Sequence, residues 1–419
     1  MEFSNTVKGD PVIATSPYLK YGPFDLAGHV PMFRLLTVFG AFLVLVARMP
    51  HLFLAPQFWA EDGILFHGAY VSGFSSIWTP LGGYLLFATR LVACLTNLFP
   101  LQWTPALYLI ESTAFALAIV YLITSPRISI PFRYLAALTV VSVASGWEML
   151  LGLANTQWLA PVGVIALLLM RAHESKFVLF VEAVFVAMTA LTGPFCFLFA
   201  PIFVFCAYWS RHAAPAERHR LVVLAATAVA FTAPQAITVA NRLGEVAVNV
   251  PYAPIDWTIP IITPLRRFAE VLYPLNRLVK GVAGVFATAI AAPIFVRIVW
   301  CQPYRYEKVI MATFAFAVLY AGMWRYHHNL VTLINYNNRY VFFGSIFFVW
   351  TLAYFAAGLG TKWRRILHVF LIAAVASSIF HAIGVERPRV DIDWSTFADQ
   401  VLSGKPTQLL VAPNWSISF

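Results

Sequence analysis

The feature that most restricts this chain is the recurrence of long stretches almost without charge. From Leu35 to Leu54 the only Lys, Arg, Asp or Glu is Arg48, and comparable runs recur to about residue 384. A helix needs roughly 20 mainly apolar residues to cross hydrocarbon. Inside lipid, every backbone N–H and C=O has to be satisfied within such a segment. The expected fold class is therefore an all-α polytopic membrane protein. Composition agrees: 60% of the 419 residues are hydrophobic, 11% are charged and the mean hydropathy is +0.76. A soluble domain carries roughly 25% charged residues, so soluble enzymes, nucleic-acid binders and disordered scaffolds are excluded. The formal charge of +10 fits basic loops beside anionic lipid, so membrane lipids and not nucleic acid are the expected partners. Cys94, Cys196, Cys206 and Cys301 have no metal-ligand spacing and read as membrane-embedded hydrophobes. No short apolar core with a cleavage site precedes the first run, so that run is expected to be an uncleaved span.

Candidate spans lie near 35–54, 82–100, 104–124, 132–146, 157–170, 177–192, 194–209, 221–240, 281–300, 309–324, 340–357 and 366–384. The Lys/Arg rule places three basic loops in the cytoplasm: Arg211, Arg218 and Arg220; Arg297, Arg305 and Lys308; Lys362, Arg364 and Arg365. The first outer loop, 55–81, and the tail, 385–419, then face outward. Twelve crossings contradict that placement when Lys8, Lys20 and Arg34 keep the N-terminus inside. One segment has to be re-entrant or broken, either 82–100, with Arg90 at its middle, or the pair around Gly193-Pro194. The expectation is about 11–12 spans in a transmembrane domain 1–384, followed by a small C-terminal cap. Asn241 to Arg277, rich in proline, is expected to be a long outer loop.

The first outer loop carries the most chemistry: Gln57-Phe58-Trp59-Ala60-Glu61-Asp62-Gly63-Ile64-Leu65-Phe66-His67. Adjacent residues on a helix point different ways, so Glu61 and Asp62 do not form a paired acid/base device. One is expected to face a cavity while the other caps or binds. The plainer reading is that both cap the short helix that follows.

At this loop the chain resembles the GT-C glycosyltransferases, multi-span enzymes that take sugars from polyprenyl-phosphate donors. It is most similar to bacterial O-antigen and lipopolysaccharide-modifying enzymes. The resemblance rests on Trp59-Ala60-Glu61-Asp62-Gly63 and, more loosely, on Asn155-Thr156-Gln157-Trp158, Leu191-Thr192-Gly193-Pro194, Asn338-Arg339-Tyr340 and the tail from Trp394 to Trp415. It implies a GT-C-like bundle in the bacterial inner membrane with its site facing the periplasm. It also implies a lipid-linked sugar donor, a glycan or glycolipid acceptor and an essential carboxylate in the first outer loop. Asp62 is the expected base, since Gly63 lets the chain turn and leaves space beside it. Glu61 is expected to bind acceptor hydroxyls or an arginine such as Arg90. Metal-dependent members carry further acids in later outer loops; this chain offers little there beyond Glu245, Asp256 and Glu270. No metal ligand is assigned, and a divalent metal is doubtful.

Transfer to an alcohol needs a base for the hydroxyl proton and cations for the departing phosphate, for which the planar donor fork of Arg is suited. Outer-side candidates are Arg325, His327, His328, Arg339 and Tyr340, with the plainer reading that they anchor helix ends at headgroups. Arg90 either reaches the phosphate or pairs with a first-loop carboxylate. Glu148, Asn155, Gln157 and Trp158 are candidates for an acceptor groove, or polar contacts between helices. A transporter or flippase of lipid-linked sugars is the alternative; its signature, repeated halves with mid-membrane charges, is not visible.

Overall fold

Helices that are apolar on every side carry little information about which faces should meet, so their few buried polar side chains set the arrangement. The computed structural model describes residues 30–143, 149–246, 296–300, 305–325, 339–383, 393–411 and 415–418. Helices α1 (Val30–Arg48) and α5 (Thr104–Ile123) run antiparallel. Arg34, near the start of α1, donates to the Tyr121 carbonyl at 3.3 Å and the Thr124 hydroxyl at 3.4 Å, at the end of α5. Everything between them therefore stays at the other end, here the upper end. That segment holds α2 (Pro50–Leu54), α3 (Glu61–Ser72), a 3-10 turn (Gly73–Trp78) and α4 (Phe87–Thr96). The expected span 82–100 does not cross; it holds only the ten-residue α4.

The chain then alternates. Helix α6 (Arg133–Ser142) rises, α7 (Thr156–Leu168) descends, α8 (Lys176–Ala190) rises, α9 (Cys196–Trp209) descends and α10 (Pro215–Val246) rises. Arg48 at the top of α1 donates to the Val141 and Val143 carbonyls at the top of α6, both at 3.0 Å. At the bottom, Arg220 of α10 bonds Glu182 of α8 at 2.6 Å and the Leu167 and Met170 carbonyls at the end of α7. The Gly193-Pro194 pair accordingly makes a tight turn between α8 and α9, with Gly193 at φ +85°. Helix α11 (Arg305–Arg325) rises, α12 (Arg339–Ala357) descends and α13 (Thr361–Ile383) rises. Tyr354 meets Ser129 at 2.6 Å below, and Ser378 donates to the Ser142 carbonyl above. The tail adds α14 (Trp394–Leu402) and an antiparallel hairpin of β1 (Gln408–Val411) and β2 (Trp415–Ser418).

Ten described helices, from 10 to 32 residues long, thus point from one end toward the other, and the three basic loops share the lower end. Among the described residues, four helical stretches are long and apolar enough to cross a membrane: Pro31–Arg48, Leu101–Ile123, Pro215–Asn241 and Thr361–Phe380. By length this is fewer than the 11–12 expected spans, because turns and prolines cut several apolar runs to between 10 and 17 helical residues. The expected span 281–300 lies largely outside the described residues. Leu35, Phe39, Phe177, Phe180, Ile237, Val369 and Phe380 point outward, while Arg48, Ser112, Thr139 and Gln235 are buried. Apolar outside and polar inside is the distribution that lipid favours, and it fits membrane association.

The upper end has its own apolar cluster, in which Phe58, Phe66 and Tyr108 pack with Phe397, Val401 and Leu409 of the tail. Trp394 lies edge-on to Phe58 and Phe66 at 5.0 and 5.5 Å and donates to the Leu101 carbonyl. The tail therefore sits on the first loop.

Candidate functional site

The chain enters α3 through Ala60, whose φ of +45° is unusual for a residue with a side chain. This turn places Glu61 and Asp62 in the first helical turn, where carboxylates complement the helix dipole. Their environments differ sharply. Asp62 is buried, and each oxygen holds a backbone amide: Trp59 N–H at 3.1 Å and Ala154 N–H at 2.8 Å. Ala154 leads into α7, so Asp62 ties the starts of α3 and α7 together. Glu61 is partly exposed and faces Arg339, the first residue of α12, with Oε1 3.6 Å from Nη1.

The Arg339 guanidinium lies 5.8 Å from the centre of the Trp158 ring. Trp158 meets Tyr340 and Phe195 edge-on at 5.1 and 4.8 Å. Its indole N–H and the neighbouring Gln157 Oε1 are buried without hydrogen-bond partners. Three separate stretches, first loop, α7 start and α12 start, thus bring Glu61, Gln157, Trp158, Arg339 and Tyr340 together. Trp59, whose own amide Asp62 binds, and Asn155, next to Ala154, are also buried. An aromatic floor, an arginine, a carboxylate and two unfilled polar groups can bind an anion beside a polyol.

Other expectations come out differently. Gly63 leaves no room for a ligand: a β-carbon there would stand 2.7 Å from Ile417 Cδ1 and 2.8 Å from Val411 Cγ2, so the tail hairpin fills the space. Arg90 does not pair with Glu61; it is buried against Gly68, about two turns further along α3. Arg325 ends α11, and of its side chain and that of Glu245 nothing is described; Glu148, Asp256, Glu270, His327 and His328 lie outside the described residues. Among the described residues, no three His, Cys, Asp or Glu come together as metal ligands.

Two participants were not legible as such in the sequence. Gly193 gives Gln157 its place, since a β-carbon there would stand 2.8 Å from Gln157 Oε1; the Gly-Pro pair signalled only a turn. Val411 and Ile417 close over the first loop from a tail that the sequence marked only as a small cap. Helices α9 and α10 border an apolar groove of about 620 Å3, lined by Cys196, Ala200, Val204, Tyr208, Val229 and Thr232. Compared with known proteins, the chain matches no family model, no curated protein and no solved structure.

Proposed function

We propose that this protein is a membrane glycosyltransferase of GT-C type, moving a sugar from a polyprenyl-phosphate donor to a hydroxyl of a cell-envelope glycan or glycolipid. In this reading the upper end faces the periplasm of a bacterial inner membrane. The observation that carries it is the pairing of Glu61 with Arg339 over Trp158. At 3.6 Å the pair is loose, so a donor phosphate competes for the guanidinium and frees the carboxylate. Glu61 then takes the proton from the acceptor hydroxyl as its oxygen bonds to the anomeric carbon. The bond from that carbon to the phosphate oxygen breaks with its electron pair, and Arg339 holds the polyprenyl phosphate that departs. Trp158 offers an apolar face and an N–H to the sugar, and the groove between α9 and α10 suits an isoprenoid chain. Asp62 serves as the clamp that fixes the loop, which moves the base from Asp62 to its neighbour.

The test is transfer from synthetic polyprenyl-phosphate hexoses by purified protein in nanodiscs, with donor binding measured separately. Glu61→Gln is expected to bind donor and to lose transfer by about 10²- to 10⁴-fold, the usual worth of a general base. Arg339→Ala is expected to lose donor binding, with Arg339→Lys recovering only part. Transfer by Glu61→Gln at the wild-type rate would overturn the assignment. Movement of lipid-linked sugar across vesicles without any transfer product would favour the flippase alternative.

A further inference from the structure

The first-loop region holds a second cationic group that the proposed reaction does not use. Arg90, in α4, is 3% exposed, yet among the described residues no carboxylate pairs with it, and its Nε has no hydrogen-bond partner. A buried, uncompensated guanidinium is costly. Its setting is specific. Gly68 of α3 covers it, and a β-carbon at Gly68 would stand 2.8 Å from Arg90 Nη1, so a larger residue there would push the guanidinium from its present place. Gly68 itself is partly exposed, which leaves the guanidinium one residue below the surface. Tyr108, from α5, is an electrostatic neighbour of Arg90 as well as of Asp62 and Glu111; it is 2% exposed, and its hydroxyl also lacks a partner. A buried arginine and a buried phenol without partners together form a donor set for an oxyanion.

The surroundings indicate where that oxyanion comes from. Tyr70, Phe74, Trp78, Phe99 and Trp103 are exposed around α3, α4 and the start of α5. Exposed aromatic residues at the end of an apolar bundle mark the depth of lipid headgroups. We propose that Arg90 and Tyr108 form a binding site for the phosphate of an anionic membrane lipid, separate from the Glu61–Arg339 site, with the lipid's chains lying along the exposed aromatic residues.

Full-length protein, delipidated in neutral detergent, is followed by thermal unfolding. It is titrated with a short-chain phosphatidylglycerol, with diacylglycerol of the same chain length, and with inorganic phosphate. Phosphatidylglycerol is expected to raise the Tm and diacylglycerol to leave it unchanged. Tyr108→Phe is expected to weaken the apparent affinity by about tenfold to a hundredfold, the worth of one hydrogen bond to a charged group. Arg90→Met, which removes an unpaired buried charge at similar length, is expected to melt no lower than wild type without lipid and to lose the lipid-induced rise. The proposal falls if phosphatidylglycerol gives no rise, if Arg90→Met keeps it, or if Arg90→Met melts lower without lipid, which would make Arg90 a structural group. An equal rise with inorganic phosphate alone would overturn the lipid assignment.

Discussion

Replacing Asp62 is expected to damage folding more than chemistry, and replacing its neighbour to do the reverse. Asp62 accepts from Trp59 N–H and Ala154 N–H with different oxygens while 2% exposed. Hydrogen bonds to a charged group contribute about 1.5–3 kcal/mol each, and a buried donor left without an acceptor costs a similar amount. Asp62→Ala abandons both amides, for a loss of roughly 3–6 kcal/mol. Asp62→Asn keeps one acceptor but turns an NH2 toward the other amide, losing at least one bond, about 2–3 kcal/mol. Glu61 is about a fifth exposed, as is Arg339, and pairs of that kind contribute about 0–1 kcal/mol. Glu61→Gln should therefore unfold at the wild-type temperature. The assay is thermal unfolding of detergent-purified variants, read by intrinsic fluorescence and by the monodisperse fraction after heating. Asp62→Asn should melt several degrees lower and Asp62→Ala lower still. A wild-type Tm for Asp62→Asn, with a depressed one for Glu61→Gln, would show that the two side chains have been assigned each other's roles.

At the lower end, Arg220→Met should destabilise the fold, because breaking a buried pair by removing one partner costs about 3–5 kcal/mol; Arg127 still meets Glu182 at 2.6 Å, which puts the loss in the lower part of that range. Thermal unfolding of Arg220→Met beside Arg127→Met checks this, and equal, negligible shifts would refute it. The Asp393 carboxyl is held down to about 2 by hydrogen bonds from the Thr396 and Ser395 hydroxyls and amides. Because its folded value lies below the ordinary value of 3.8, its support for the α14 start is complete above about pH 4 and is lost as pH falls through about 2. Acid titration of Trp394 fluorescence should show this step, and Asp393→Asn should abolish it. Ser403→Cys and Ala213→Cys should label from opposite sides of the membrane, Ser403→Cys in intact cells and Ala213→Cys only after permeabilisation; labelling of both from one side would refute the end-to-end arrangement.

The sequence alone determined that the chain is helical and apolar on its outside, because lack of charge is a local property that any stretch displays. It also singled out the first loop and Arg339 as candidates for the proposed chemistry, since carboxylates and arginines stand out against so apolar a background. It left open which segment fails to cross. Helices apolar on every face do not show which neighbour they meet, and Arg34 reaching Tyr121 across 87 positions was needed to keep 82–100 at the upper end. The expectation of Asp62 as the base rested on the resemblance and on Gly63, because adjacent carboxylates differ locally only in where the helix turns them. Ala154 drew Asp62 inward, and Arg339, 278 positions along the chain from Glu61, met the other. Contacts over such separations follow from packing, which no local pattern of residues records.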